Sequence, residues 1–178
     1  MTEKVLITGG SGFLGYHLIK AALNAGLEVY AAVRKNSHVE HLKDLPVKYT
    51  HLNYEDAGAL QKELEEKGYS YVIHAAGVTK ANSEAEYSNI NAGYTVNLAK
   101  AAADLKGQVK KFVLISSLAA TGPLKTAEGL ITEDKNCEPV TAYGRSKLKA
   151  EQELLKIDIP AVILRPTAIY GPRDKDLF

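Results

Sequence analysis

"KVLITGGSGFLG", Lys4 to Gly15, decides how this chain folds. Five residues that read as a strand run into Gly9, Gly10, Gly12 and Gly15, and an apolar pattern at helical spacing follows at once. Glycine is unfavourable inside regular structure and useful where backbone must approach something closely. Two chemistries place such a loop between a strand and a helix. The phosphate loop of nucleoside triphosphatases needs GxxxxGK[ST], whose lysine reaches the terminal phosphates. Here Tyr16 and His17 follow Gly15, which excludes it. The dinucleotide turn uses glycines for a tight bend and for close approach of a pyrophosphate to a helix N-terminus. The spacing here, GxxGxxG over Gly9, Gly12 and Gly15, is one residue wider than the common form of that turn. In it Gly9 makes the bend, Gly12 admits the phosphates and Gly15 lets the helix pack on the first strand.

Working outward, "EVYAAV", "VKYTHL", "YVIHAA", "KFVLISS" and "PAVILRP" repeat the near-continuous apolar character of "KVLIT". Such runs suit parallel strands covered on both faces. Helical patterns lie between them. "GFLGYHLIKAALNAG" stops at Gly26 and "EDAGALQKELEEKG" at Gly68. "EAEYSNINAGYTVNLAKAAADLKG" carries Tyr87, Ile90, Tyr94, Leu98 and Leu105 along one stripe, and "TAYGRSKLKAEQELLKI" has Thr141 as its N-cap. Alternating βα units predict an α/β fold: a Rossmann-type, doubly wound parallel sheet with helices on both faces, in three layers, over residues 1–178. An order of 3-2-1-4-5-6 would set a dinucleotide across the ends of the first and fourth strands.

About 20 residues past the turn, the second strand normally ends in an acid that binds the ribose 2′-hydroxyl. No Asp or Glu occurs from Val29 to Val39; Arg34 and Lys35 stand there instead. A guanidinium grips a 2′-phosphate that a carboxylate would repel, so NADP is expected over NAD.

Tyr143 and Lys147 in "AYGRSKLKAE" are four apart on a helix and share a face. A phenol titrates near 10, so acid–base work by tyrosine at neutral pH needs a neighbouring cation, which a lysine one turn away supplies. Ser116 and Ser117 end an apolar strand at the sheet edge where open α/β sheets bind ligands.

TGGSGFLG, HAAG (His74 to Gly77), the strand-end Ser-Ser, YGRSK and LRPTAIYGP stand in the order and rough spacing of the extended short-chain dehydrogenase/reductase family. The chain resembles the NAD(P)-dependent epimerase/dehydratase members of that family along essentially its whole length. The resemblance implies a catalytic Ser117 (or Ser116), Tyr143 and Lys147. In that triad the tyrosine exchanges a proton with substrate oxygen while hydride passes to or from nicotinamide, and the lysine also holds the nicotinamide ribose. It implies cofactor contacts at Gly9, Gly12, Phe13, Leu14, Gly15, Arg34, Lys35, Asn53, Ala75, Ala76, Gly77, Asn91, Tyr143 and Lys147. It also implies a small-molecule substrate and a homodimer formed through helices like those at 84–105 and 141–157.

Departures from the family pattern narrow the chemistry. Asn53 stands where relatives have Asp near the adenine, and Tyr94 replaces the glycine of NxxGTxNL. Leu118 and Ala119 follow Ser117 in place of the Asp-Glu pair used in sugar-nucleotide 4,6-dehydration, which argues against that elimination. "AAVRK" is similar to the strand end of dihydroflavonol-reductase-like NADP ketoreductases. An NADPH ketoreductase is therefore slightly favoured. A nucleotide-sugar epimerase with retained NAD and a noncatalytic dinucleotide-binding module are the alternatives. The family's substrate domain follows YGP, and the chain stops at Phe178 after a charged run, as a fragment would.

Bulk properties exclude other classes. A net charge of +1, from 22 basic and 21 acidic side chains, gives no nucleic-acid footprint. No apolar run approaches the roughly 20 residues of a membrane helix, and the N-terminal run breaks too early for a signal peptide. A single Cys137 excludes an intramolecular disulfide framework and, with the rest, points to a reducing, cytoplasmic setting. Cys137 lies in a polar loop without an evident activating partner. His38 and His41 lack accompanying metal ligands and read as a solvated helix face, so no metal is expected. His74, at an apolar strand end, reads as packed near the cofactor.

Overall fold

The computed structural model describes residues 2–124 and 129–174, so the last part of the terminal charged run, 175–178, lies outside the described residues. The strands are β1 (Lys4–Thr8), β2 (Glu28–Ala32), β3 (Val47–Thr50), β4 (Tyr71–His74), β5 (Lys111–Ile115) and β6 (Ala161–Leu164). All adjacent pairs are parallel and the order is β3-β2-β1-β4-β5-β6, as predicted. The helices are α1 (Phe13–Asn24), α2 (Ala57–Lys67), α3 (Glu84–Tyr87), α4 (Tyr94–Ala103) and α5 (Ala142–Leu154).

Strand alternation feeds two cores. Val5 and Ile7 of β1 join Ile19 and Ala22 of α1 on one side of the sheet. Leu6 faces the other way, into a larger cluster with Leu60 and Leu64 of α2, Leu98 of α4 and Leu154 of α5. The three-layer expectation holds, but coverage is uneven. Val162 and Leu164 of β6 are 40% and 48% exposed, and Lys48 and Tyr49 of β3 are exposed too. The apolar runs overstated burial at the sheet edges: Val162, Leu164 and Tyr49 are not in the α1-side core, and Lys48, level with Tyr30, lies on the opposite face.

The predicted long helix at 84–107 is interrupted. A π-helical stretch, Ser88–Gly93, separates α3 from α4, and α4 ends at Ala103. Thr95 Oγ1 donates to Asn91 O at 2.7 Å, a back-bond of the kind that distorts helices. The extra residue per turn breaks the expected stripe: Asn91, Ala92, Thr95 and Leu98 are buried, while Ile90 and Tyr94 line a cleft. Single π turns inside helices occur often at functional sites. His38 and His41 also fall differently from expectation. His38 lies outside any helix and His41 sits in a single 3₁₀ turn, Glu40–Leu42, against the Tyr16 ring.

Candidate active site

The carboxyl ends of β1 to β4 open into a cleft of about 660 Å³. Gly9 and Gly12 line it together with Ala75, Ala76 and Gly77. Gly9 has φ 71°, a left-handed conformation in which side chains are strained. Gly15 is buried beneath the turn, where an added Cβ would stand 2.2 Å from Gly9 O. Gly12 is the N-cap of α1 and supplies no side-chain hydrogen bond, and the first turn of α1 carries no acid. The first amides of a helix lack intrahelical acceptors, and here they meet the cleft with the positive end of the helix dipole behind them. A pyrophosphate fits this cradle of bare main chain. Phe13, the first residue of α1, is not among the residues lining the cleft, and its ring lies T-shaped to that of His17, with centroids 5.2 Å apart.

The cleft's floor is locked by Thr8. Its Oγ1 accepts from Ala75 N at 3.1 Å and Ala76 N at 2.9 Å, and lies 2.8 Å from His74 Nδ1. The Tyr54 phenol reaches the same hydroxyl, so Thr8 ties the β4 loop, His74 and Tyr54 together. His74 is fully buried and Nε2 has no partner. Burial, with the Lys147 charge adding, lowers its pKa to about 3. His74 therefore lies under the cleft and stays neutral. The folded state resists its protonation, so stability is full above the unfolded pKa of about 6.5 and falls as pH drops toward 3. His74→Gln is expected to remove an acid destabilisation of about 3 kcal/mol between pH 6.5 and 4, read from denaturant unfolding at both pH values.

At the far end of the cleft, Arg34 and Lys35 line the wall and are exposed. Arg34 N donates to Ser37 Oγ at 3.1 Å, and Ser11 Oγ donates to the same oxygen at 3.4 Å. Asn53 also lines the wall, but its Oδ1 accepts from Glu55 N at 3.2 Å, which leaves the amide nitrogen to face a ligand. Tyr94 has a use its sequence position did not disclose: it stacks on Tyr54 at 4.6 Å with the rings 8° from parallel. Burial pushes the Tyr54 phenol up to about 12.

A smaller cavity of about 170 Å³ adjoins the cleft through Ala75, Gly77 and Val78. Leu14, Asn91, Ser117, Tyr143 and Lys147 line it. Thr141 caps α5 as predicted, accepting from Gly144 N at 3.0 Å. Lys147 is 5% exposed, and Nζ donates to Ile115 O at 2.6 Å. Burial lowers its pKa to about 8, with the Glu151 charge opposing. Burial raises the Tyr143 phenol above its usual value, and the Ser117 hydroxyl partly offsets this. Asn91 is buried. It exchanges two bonds with Val78, accepting from N at 2.8 Å and donating to O at 3.1 Å, and donates to Ser146 Oγ at 2.9 Å. It thus ties the β4 loop to α5 from below.

Both strand-end serines line this cavity, but their hydroxyls have different partners. Ser116 is 4% exposed and its hydroxyl donates to the Glu151 carboxylate, whereas Ser117 lies beside Tyr143. Glu151 is 2% exposed and binds Arg165 through three contacts, the shortest 2.6 Å to Nη2. Neither residue was singled out as functional from sequence. The available signal was Glu151's place one turn beyond Lys147 on the same helix face. Cys137 is half-buried beside Arg165. Among the described residues there is no cluster of three potential metal ligands, and no helix is long and apolar enough to cross a membrane.

Sheet order, glycine cradle and cleft position define a dinucleotide-binding Rossmann domain. The chain belongs to the NAD dependent epimerase/dehydratase family, whose model matches residues 5–178. It is 33% identical to UDP-glucose 4-epimerase of Vibrio cholerae, over 100% of this chain and 55% of that one. It is 31% identical to ceramide reductase of Caulobacter vibrioides, over 97% of this chain and 48% of that one. The Bordetella bronchiseptica enzyme WbmG, solved in complex with NAD, superposes with a TM-score of 0.83 at 31% identity, covering 97% of this chain and 56% of WbmG. The chain thus spans about half the length of the curated relatives it matches.

Proposed function

We infer that the chain binds NADP and forms the catalytic half of a ketoreductase acting on a small carbonyl substrate. The observation that carries this reading is the convergence of Ser117, Tyr143 and Lys147 on one cavity that opens into the cofactor cleft. The bound reduced nicotinamide would supply hydride to the carbonyl carbon. Tyr143 donates its phenolic proton to the carbonyl oxygen as that charge develops. Tyr143 holds its proton at neutral pH, and since burial raises its pKa, the charge of Lys147 has to favour the phenolate as it forms. Ser117 holds the same oxygen toward the phenol, and Lys147 stabilises the phenolate left behind.

Arg34 and Lys35, with the Ser11 and Ser37 hydroxyls, support the 2′-phosphate preference. NADPH is expected to bind this chain about tenfold more tightly than NADH, the worth of one charge-assisted contact. Arg34→Glu should reverse the order. Equal affinities, or tighter NADH, would sink the NADP assignment.

A second reading is a nucleotide-sugar epimerase with retained NAD. It is favoured by the likeness to UDP-glucose 4-epimerase and to the NAD-bound WbmG. Turnover with no net change in nicotinamide absorbance, and cofactor retained through gel filtration, would decide for it. Stoichiometric loss of NADPH absorbance would decide for the reductase.

A further inference from the structure

The buried Glu151 sits where two elements and two functional groups meet. At the end of β5 and just past it, consecutive residues are held by consecutive turns of α5: Ile115 O accepts from Lys147 Nζ, and Ser116 Oγ donates to Glu151. Arg165, just after β6, closes the arrangement. Its Nε lies 3.1 Å from each Glu151 oxygen and its Nη2 2.6 Å from Oε2, while Nη1 reaches Thr121 Oγ1 at 3.5 Å. A carboxylate this deep needs a counter-charge and full hydrogen bonding. Arg165 supplies the first and, with Ser116, the second.

We propose that the Glu151–Arg165 pair is a positioning unit for the reactive face of α5: through Ser116 it fixes the end of β5 so that Ser117 faces Tyr143, and it keeps the surroundings of Lys147 electrically neutral so that this lysine stays charged. The unit acts through Lys147 and Ser117 and touches no substrate. The titratable groups facing Lys147 are few. Tyr143 and Glu151 come from α5 itself, His74 from β4, and Arg165 stands behind Glu151. The end of β5 offers a backbone carbonyl, the two residues after it offer serine hydroxyls, and the π turn offers Asn91. Tyr143 and His74 are both neutral at neutral pH, which leaves Glu151 as the charge acting on Lys147 and Arg165 as the charge that balances Glu151.

The inference deepens the function proposed above, but its test needs neither cofactor nor turnover, so either can fail while the other stands. The readout is the ¹⁵N resonance of Lys147 Nζ followed through a pH titration of the chain and assigned by its loss in Lys147→Arg. Glu151→Gln removes the anion and leaves the Arg165 cation unopposed, so the midpoint should fall by about one pH unit. Glu151→Gln combined with Arg165→Met removes both charges and should return the midpoint to within about half a unit of wild type. A merely structural role predicts the reverse ranking, since the double variant loses more contacts. An unmoved midpoint in the single variant, or a double variant that falls as far as the single, overturns the proposal. Should the single variant fail to fold, the double variant's midpoint decides alone: near wild type supports the proposal, and a full unit lower overturns it.

Discussion

Gly15→Ala is expected to abolish measurable binding of NADPH and NADH and to lower the melting temperature by about 6–12 °C. A Cβ at this position would stand 2.2 Å from Gly9 O and 2.8 Å from the Gly10 Cα. Both neighbours are backbone, so no side chain can swing aside. Relief means sliding α1 away from the turn by roughly 1 Å in an interior that packs like a crystal. Overpacking of this kind costs about 3 kcal/mol, and a domain of this size loses about 2–4 °C per kcal/mol. Binding suffers more than stability. The slide separates Gly12 N from Gly9 O, now 3.0 Å apart, and turns the first amides of α1 out of register with a pyrophosphate. Gly26→Ala is the control. Its φ of 77° makes alanine strained, yet nothing lies within 4 Å of the added Cβ. It should cost about 1–2 kcal/mol and leave cofactor affinity unchanged. Calorimetric titration and thermal melts of both variants check this. Wild-type affinity in Gly15→Ala would show that the turn is not where phosphates bind.

That contrast marks what local chemistry can and cannot disclose. The strand–turn–helix at Lys4–Asn24 was legible because each of its choices is local: apolar strand, glycine at the bend, helix stopping before Gly26. The sheet order followed from the doubly wound dinucleotide-binding pattern that this unit implies. The π turn was not legible, because it depends on the Thr95–Asn91 back-bond and on Val78, which Asn91 reaches only once β4 and α4 are side by side. Glu151 escaped notice for a related reason. In "KAEQEL" an acid reads as solvated surface, since Glu is almost never fully buried unless paired. Its partner Arg165 lies beyond a further strand, and only the fold brings the two together. The same long-range contact engages Ser116 and leaves Ser117, the serine already preferred from the family resemblance, beside Tyr143. Tyr94 looked like crowding against a family glycine; with Tyr54 opposite, it becomes one half of a stacked wall.

Tyr143→Phe is expected to lower the reductase or epimerase rate by about 10³-fold while leaving NADPH affinity nearly unchanged. Phenylalanine keeps the ring and its edge contact with Tyr87, whose centroid lies 6.2 Å away, so α5 has no reason to move. Tyr143 lines the smaller cavity and not the long cleft, where most of the cofactor's contacts would form. Only the transferable proton is lost, and a group acting in the transition state lowers turnover without weakening the ground-state complex. The pH profile adds a sign. The Tyr143 phenol is held protonated by burial, and Lys147 carries its charge below about 8. Reduction should therefore hold at neutral pH and decline as pH rises through about 8, where the cation that steadies the phenolate is lost. In Tyr143→Phe no phenolate forms, so whatever rate remains should lose that decline. A variant that bound NADPH poorly yet kept the wild-type profile would assign Tyr143 to the cofactor and leave the proton to another donor. Since His74 is locked under the floor and Ser116 is engaged by Glu151, that donor would come from the other hydroxyl or ammonium groups lining the cavity among the described residues, Ser117, Thr79, Thr167 or Lys147.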